Sequence, residues 1–185
     1  QPLARDVTKV TIPEGYTVDQ IIEKISSTIP RFTKEDLQAA IDGGLVPSAL
    51  KPADQTSYEG LLFPATYEVD DDETAIELLT SMAQEMETRV AGLNIDQAAS
   101  DVSQKYGLQL SPYDLITVAS LVQEEAGSPE EAPKVATVIY NRLAEGTPLG
   151  IDATSRYLAD IEGGEPDYES DSPYNTRTQA GLPPT

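Results

Sequence analysis

The sequence predicts an α+β fold: a small mixed unit, then a helix-centred unit with short strands. Three observations carry this reading. The run Val7-Thr8-Lys9-Val10-Thr11-Ile12 alternates apolar and polar, as a half-buried strand does. Helix-start signals ahead of apolar residues at helical spacing recur from Thr17 to Gly146. From Thr147 onward that spacing stops, and Pro, Gly, Asp and Tyr dominate, which predicts loops with short strands. Charge suggests where the units divide. Residues 1–58 carry 8 acids and 6 bases, whereas residues 59–185 carry 24 acids and 6 bases. The stretch from Val46-Pro47 to Lys51-Pro52 reads as a connection, so the expected units are 1–55 and 56–185.

In the first unit, Pro13-Glu14-Gly15 ends the strand, and Thr17 with Gln20 has capping-box spacing for a helix bearing Ile21, Ile22 and Ile25. Thr33 and Asp36 repeat the device ahead of Leu37, Ala40 and Ile41, and Gly43-Gly44 supplies the stop. In the second, Ala65-Thr66-Tyr67-Glu68-Val69 can form a strand. The acidic run Asp70-Asp71-Asp72-Glu73 suits a helix N-terminus, where the dipole favours negative charge. The helix behind it places Ile76, Leu79, Met82, Ala83, Met86 and Val90 on one side. A shorter helix covers Ala98 to Tyr106. Ser111-Pro112-Tyr113-Asp114 starts a helix that runs to Glu125 and is apolar nearly all round, so a central, buried position is expected. Ser128-Pro129-Glu130-Glu131 repeats the start signal for a helix carrying Val135, Val138, Ile139 and Leu143.

Composition narrows the chemistry. At 185 residues and 39% apolar content, a real core is within reach. The formal net charge of −20 would repel a nucleic-acid backbone or an anionic lipid surface. The chain contains neither His nor Cys, which excludes a Ser-His-Asp triad, a Cys-His pair and histidine- or thiolate-ligated zinc. Carboxylates are left as the main acid–base groups near neutral pH. No stretch reads as a transmembrane span or a signal peptide. Both ends read as cut, so a piece of a longer protein is expected.

Glu125 stands out among the carboxylates. Four and seven residues before it lie Leu121 and Val118, which puts it on the most apolar face of its helix. Burial there would make ionisation costly, the tuning that a general acid needs. The plainer alternative is a helix-end Glu that simply reaches water, and Glu124 fits that description better still. Asp152, Asn175, Tyr174 and Tyr157 lie in the non-helical C-terminal part, where sites often sit. Glu59, in an apolar run, is a partly buried carboxylate that could serve a site or bond a nearby backbone group. The Asp70–Glu73 run lacks the spacing of a calcium loop, and no glycine-rich phosphate loop is present.

Five ordered stretches together resemble a known family. They are Tyr58-Glu59-Gly60-Leu61-Leu62-Phe63-Pro64-Ala65-Thr66-Tyr67, Ala119-Ser120-Leu121-Val122-Gln123-Glu124-Glu125-Ala126, Val135 to Leu143 with Asn141-Arg142, Leu149-Gly150-Ile151-Asp152-Ala153-Thr154 through Tyr157, and Ser172-Pro173-Tyr174-Asn175-Thr176 with Gly181-Leu182-Pro183-Pro184. The family is the MltG (YceG-like) endolytic murein transglycosylases. The resemblance implies a LysM-like subdomain for residues 1–55 and a transglycosylase catalytic domain for residues 56–185, C-terminally truncated, with a membrane anchor outside this stretch. It carries the family's catalytic Glu to Glu125. Substrate contacts fall on Glu59, Ser120, Gln123, Asn141, Asp152, Thr154, Tyr157, Tyr174, Asn175 and Thr176. Three departures touch these contacts: Gln123 takes the place of the first Glu of the element that ends in Glu125, Gly150-Ile151 stands before Asp152, and Arg177 takes the place of a Tyr after Thr176.

The implied activity is cleavage of the MurNAc-GlcNAc bond of nascent peptidoglycan, leaving 1,6-anhydroMurNAc ends. One carboxyl acts first as acid and then as base, with no cofactor and no metal. The implied partners are peptidoglycan strands and the cell-wall synthesis machinery, at the extracytoplasmic face of a bacterial membrane, the fragment itself being soluble. One alternative is a non-catalytic, LysM-like glycan-binding module. A remote one is an aminodeoxychorismate lyase, which needs a desolvated lysine for pyridoxal phosphate; in residues 59–185 only Lys105 and Lys134 are available.

Overall fold

Residues 7–184 are described by a computed structural model. The elements are β1 (Val7–Thr11), α1 (Val18–Thr28), α2 (Lys34–Asp42), β2 (Thr66–Asp70), α3 (Ala75–Ala91), α4 (Ile95–Tyr106), α5 (Pro112–Glu125), α6 (Ala132–Glu145) and α7 (Asp152–Glu162). Helices with one small sheet make an α+β fold, as expected. The chain forms two compact units, Gln1–Leu93 and Asn94–Thr185.

In the first unit β1 and β2 pair antiparallel, from Val7 opposite Asp70 to Thr11 opposite Thr66. The Thr17–Gln20 capping box forms at the start of α1, and Thr33 caps α2. Ile21, Ile22 and Ile25 of α1 and Leu37, Ala40 and Ile41 of α2 join one core with Val10, Tyr58, Leu62, Val69, Leu78, Leu79 and Met82. The buried face of α3 therefore runs through Leu78, Leu79, Met82, Ala83 and Val90, while Ile76 is exposed. This core crosses the expected division at 55/56, because β2 completes the sheet begun by β1 and α3 closes over it. The compact division falls at Leu93 instead. By that division the first unit holds 17 acids and 7 bases and the second 15 acids and 5 bases, so each is net −10. The step in charge that suggested a boundary is an acidic, solvated surface of the first unit, between Glu59 and Glu87.

In the second unit α5 packs against α4, α6 and α7. Its central position agrees with expectation, but it is not buried all round. Tyr113, Thr117, Val118 and Leu121 face inward, whereas Ala119, Ser120 and Gln123 are exposed. The core joins Val118 and Leu121 to Ile139, Leu149, Ile151 and Ala153. α6 begins at Ala132, with Ser128–Glu131 forming a turn ahead of it, and Val138 is exposed. The region after Thr147 departs from expectation twice. It contains α7, and the only β-pairing among the described residues of this unit is an isolated bridge between Pro148 and Ala180. The start of α7 has no side-chain cap at Ile151. Bonds from a segment about 25 residues downstream hold it instead, so no local start signal marks it.

Candidate active site

The second unit brings two groups of expected site residues into order. The first is the end of α5. A Ser111–Asp114 capping box starts this helix, and Ala126 leaves it in extended conformation. Ser120 donates from Oγ to the Thr117 carbonyl at 2.8 Å. Gln123, Glu124 and Glu125 form an exposed last turn with no basic residue in it. Glu125 follows Val118 and Leu121 around the helix, and both of those are buried. The last turn runs past the packed core, however, so Glu125 is exposed and the expected burial does not occur. Its carboxylate takes part in no hydrogen bond and no ion pair among the described residues. The neighbouring turn is different: Glu131 accepts from the Gly127 N–H at 3.1 Å, and bonds from its own backbone N–H and from Ser128 hold the Glu130 carboxyl below its ordinary range.

The second group joins the start of α7 to residues 172–178. Thr176 is its hinge pin. Its hydroxyl donates to the Ile151 carbonyl and accepts from the Ile151 N–H, both at 2.9 Å, and its own carbonyl accepts from the Gly150 N–H at 2.7 Å. Thr154 donates to the same Ile151 carbonyl at 3.0 Å. Gly150 sits at φ +69°, a left-handed conformation that glycine adopts without a Cβ penalty. Asn175 is buried, donating to the Ser170 carbonyl at 2.8 Å and accepting from the Arg177 N–H at 3.1 Å. Thr154, Asn175 and Thr176 thus spend their polar atoms on the backbone of this clasp.

Outside the buried clasp lie two more links between the same segments. Tyr157 and Tyr174 are half-buried, with ring centroids 5.7 Å apart and planes tilted by 45°. Arg177 grips Asp152 with a fork, Nε to Oδ1 at 2.6 Å and Nη2 to Oδ2 at 2.9 Å. That bond, with the charges of Arg177 and Arg156, holds the Asp152 carboxyl below its usual range, and Asp152 in turn raises Arg177 above its own. The guanidinium lies 4.9 Å over the Tyr168 ring.

Asp152, Thr154, Tyr157, Tyr174, Asn175 and Thr176 are therefore together, and Asp152 and Tyr157 stand on a helix rather than in the expected loop. Ser120, Gln123 and Glu125 share the end of α5. Asn141 is exposed on α6, beside the Tyr106–Tyr140 ring pair at 5.3 Å. Glu59 belongs to the other unit. Both of its carboxylate oxygens lie 3.1 Å from the Val18 N–H, so it caps α1, the backbone alternative raised for it above. Sequence reading missed the pairing of Arg177 with Asp152; the only signal was the unusual Arg after Thr176.

Known proteins resemble this chain over nearly its whole length. A protein named endolytic murein transglycosylase from Bacillus subtilis is 31% identical over 193 residues, 95% of this chain and 51% of its own length. One of the same name from Streptococcus pneumoniae is 29% identical over 211 residues, 100% of this chain and 37% of its own length. The chain thus spans about half or less of these relatives. The crystal structure of a YceG-like protein from Listeria monocytogenes superposes with a TM-score of 0.73 at 28% identity, over 98% of this chain and 62% of that one. The model of the YceG-like family matches residues 1–185, and the chain belongs to that family.

Proposed function

We propose that this chain performs the lytic cleavage of murein glycan, with Glu125 as its single acid–base group. The observation that carries the reading is the match of 95% of the chain to a relative named endolytic murein transglycosylase. The open carboxyl of Glu125 supports the residue assignment, since no cap or ion pair occupies it. As an acid, Glu125 gives its proton to the glycosidic oxygen between MurNAc and GlcNAc as the bond to the anomeric carbon breaks. As a carboxylate, it then takes the proton from the carbon-6 hydroxyl of the same MurNAc. That oxygen closes on the anomeric carbon, forming the 1,6-anhydro ring and returning the acid to its first state. No water is consumed, so the second carboxylate that ordinary glycosidases need to activate water or to form a covalent intermediate is not required. The Tyr157–Tyr174 pair offers ring faces on which a sugar can stack. Ser120, Gln123 and Asn141 offer exposed polar groups, and Thr154, Asn175 and Thr176 hold the clasp that carries Tyr174.

The first unit, a closed strand–helix–helix–strand arrangement, is proposed as the LysM-like part, with its sheet completed beyond residue 55. The working place is proposed as the outer face of a bacterial membrane, beside the cell-wall synthesis machinery. No described helix is long and apolar enough to cross a membrane. Lys105 and Lys134 are both exposed, which speaks against a Schiff-base lyase.

The test is digestion of murein followed by mass spectrometry of the released ends. The wild-type chain is expected to produce 1,6-anhydro ends. Glu125→Gln is expected to lower that activity by about 10²–10⁴-fold, the usual worth of a general acid–base group, at unchanged melting temperature. Binding of murein without cleavage would replace this reading by the glycan-binding alternative. Activity of Glu125→Gln within about tenfold of wild type, below the range for such a group, would remove the residue assignment.

A further inference from the structure

We propose that Arg177, with Arg156 beside it, recognises a carboxylate carried on the glycan strand, and so gives this chain a preference for acid-bearing over neutral sugar chains. The proposal rests on the murein reading above and names the substrate feature that the site selects.

The second unit holds 15 acids and only 5 bases. Two of the five bases, Arg156 and Arg177, act on one carboxylate, Asp152. A clasp alone needs one arginine, and Arg156, which is exposed, forms no ion pair within 4 Å among the described residues.

Geometry makes the same point. The Asp152 fork uses Nε and Nη2 of Arg177, and Nη1 donates to no group among the described residues. The side chain is 49% exposed. Asp152 fixes its position, and the Tyr168 ring lies against the guanidinium. A guanidinium held in this way loses little freedom on accepting a second carboxylate, and its planar fork suits that partner better than a lysine would. The clasp sets this group three residues from Tyr174, whose ring pairs with Tyr157. A strand stacked on those rings would carry its acidic substituents past Arg177.

Murein offers carboxylates from two sources: the lactyl group on the muramic sugar and the peptides attached to it. Three ligands separate them. Peptide-bearing strands carry peptide carboxylates. Strands stripped by an amidase expose the lactyl carboxylates. Chitin oligosaccharides carry none. Equilibrium binding is measured in a Glu125→Gln background at low salt. At least one acid-bearing ligand is expected to bind about three- to tenfold tighter than chitin, the scale of an exposed charge-assisted bond. Which of the two does so identifies the carboxylate. Arg177→Gln is expected to erase the preference, Arg177→Lys to keep part of it, and Arg156→Gln to reduce it while leaving the fork intact.

Equal weakening on all three ligands would make Arg177 a structural clasp only and overturn the proposal, as would unchanged preference. If Arg177→Gln does not fold, Arg156→Gln decides, and an unchanged preference there overturns it. A wild-type chain that yields no 1,6-anhydro ends but shows this binding pattern defeats the catalytic reading and leaves carboxylate recognition standing. Cleavage with no preference does the reverse.

Discussion

Tyr67 shows how one residue links packing to pH. It lies at the second position of β2, and its hydroxyl donates to the Phe63 carbonyl at 2.6 Å. Burial pushes its ionisation up from 10.0 to about 12, the charge of Glu85 adds to that, and Arg89 opposes it. Tyr58 is raised as well, by burial, and its hydroxyl donates to the Val46 carbonyl. Between pH 10 and 12 the unfolded tyrosine has lost its proton while folded Tyr67 still holds it. The contribution to stability is complete below pH 10 and is lost as pH rises through 12. Denaturation followed by circular dichroism should therefore show the first unit weakening across that window. Tyr67→Phe should make the slope shallower by one proton's worth, and an unchanged slope would show that Tyr67 is not the group responsible. Legibility at this scale follows distance along the chain. The Thr17 and Ser111 caps are readable because each partner lies three residues on. The Glu59 cap on Val18 and the Arg177 grip on Asp152 span 41 and 25 residues, and nothing in local spacing announces either.

The same rule holds for elements. α1 and α2 carry both a local start signal and an apolar stripe, α5 carries a start signal and a nearly continuous apolar run, and all three form where the sequence puts them. On α3 the stripe is right from Leu79 onward, but the face starts from Ala75 and Leu78 rather than Ile76. Two adjacent apolar residues cannot say which of them turns inward; the neighbouring core decides. α7 is the opposite case. Its first turn depends on Thr176, which answers both the N–H and the carbonyl of Ile151. Replacing that hydroxyl leaves the buried Ile151 N–H without its partner, while the Ile151 carbonyl keeps the bond from Thr154. Thr176→Val, close in volume, should destabilise the second unit by about 1–3 kcal/mol, the cost of leaving such a group unsatisfied. Thermal melting measures it, and a variant as stable as wild type would mean that α7 stands without the clasp.

At the scale of the whole molecule, the charge step near residue 58 is real in the sequence yet does not separate the compact units. The stretch from Glu59 to Leu93 brings β2 to pair with β1, and Leu78, Leu79 and Met82 into the first core. A fragment of residues 1–93 should therefore fold and melt cooperatively, whereas residues 1–55 should not, having lost the partner strand and one wall of the core. Cooperative melting of the shorter fragment would restore the earlier boundary. By itself the sequence determined what is periodic, compositional or motif-bound: the α+β class, most helices and their caps, the absence of histidine and cysteine chemistry, and the family to which the chain belongs. Only the tertiary structure decided where one unit ends, that Glu59 caps a helix, that α7 exists, that Glu125 stands in solvent, and that Arg177 meets Asp152. The physical reason is common to all of these. Burial and long-range hydrogen bonds belong to pairs of segments, and a pair is settled only when the chain has closed.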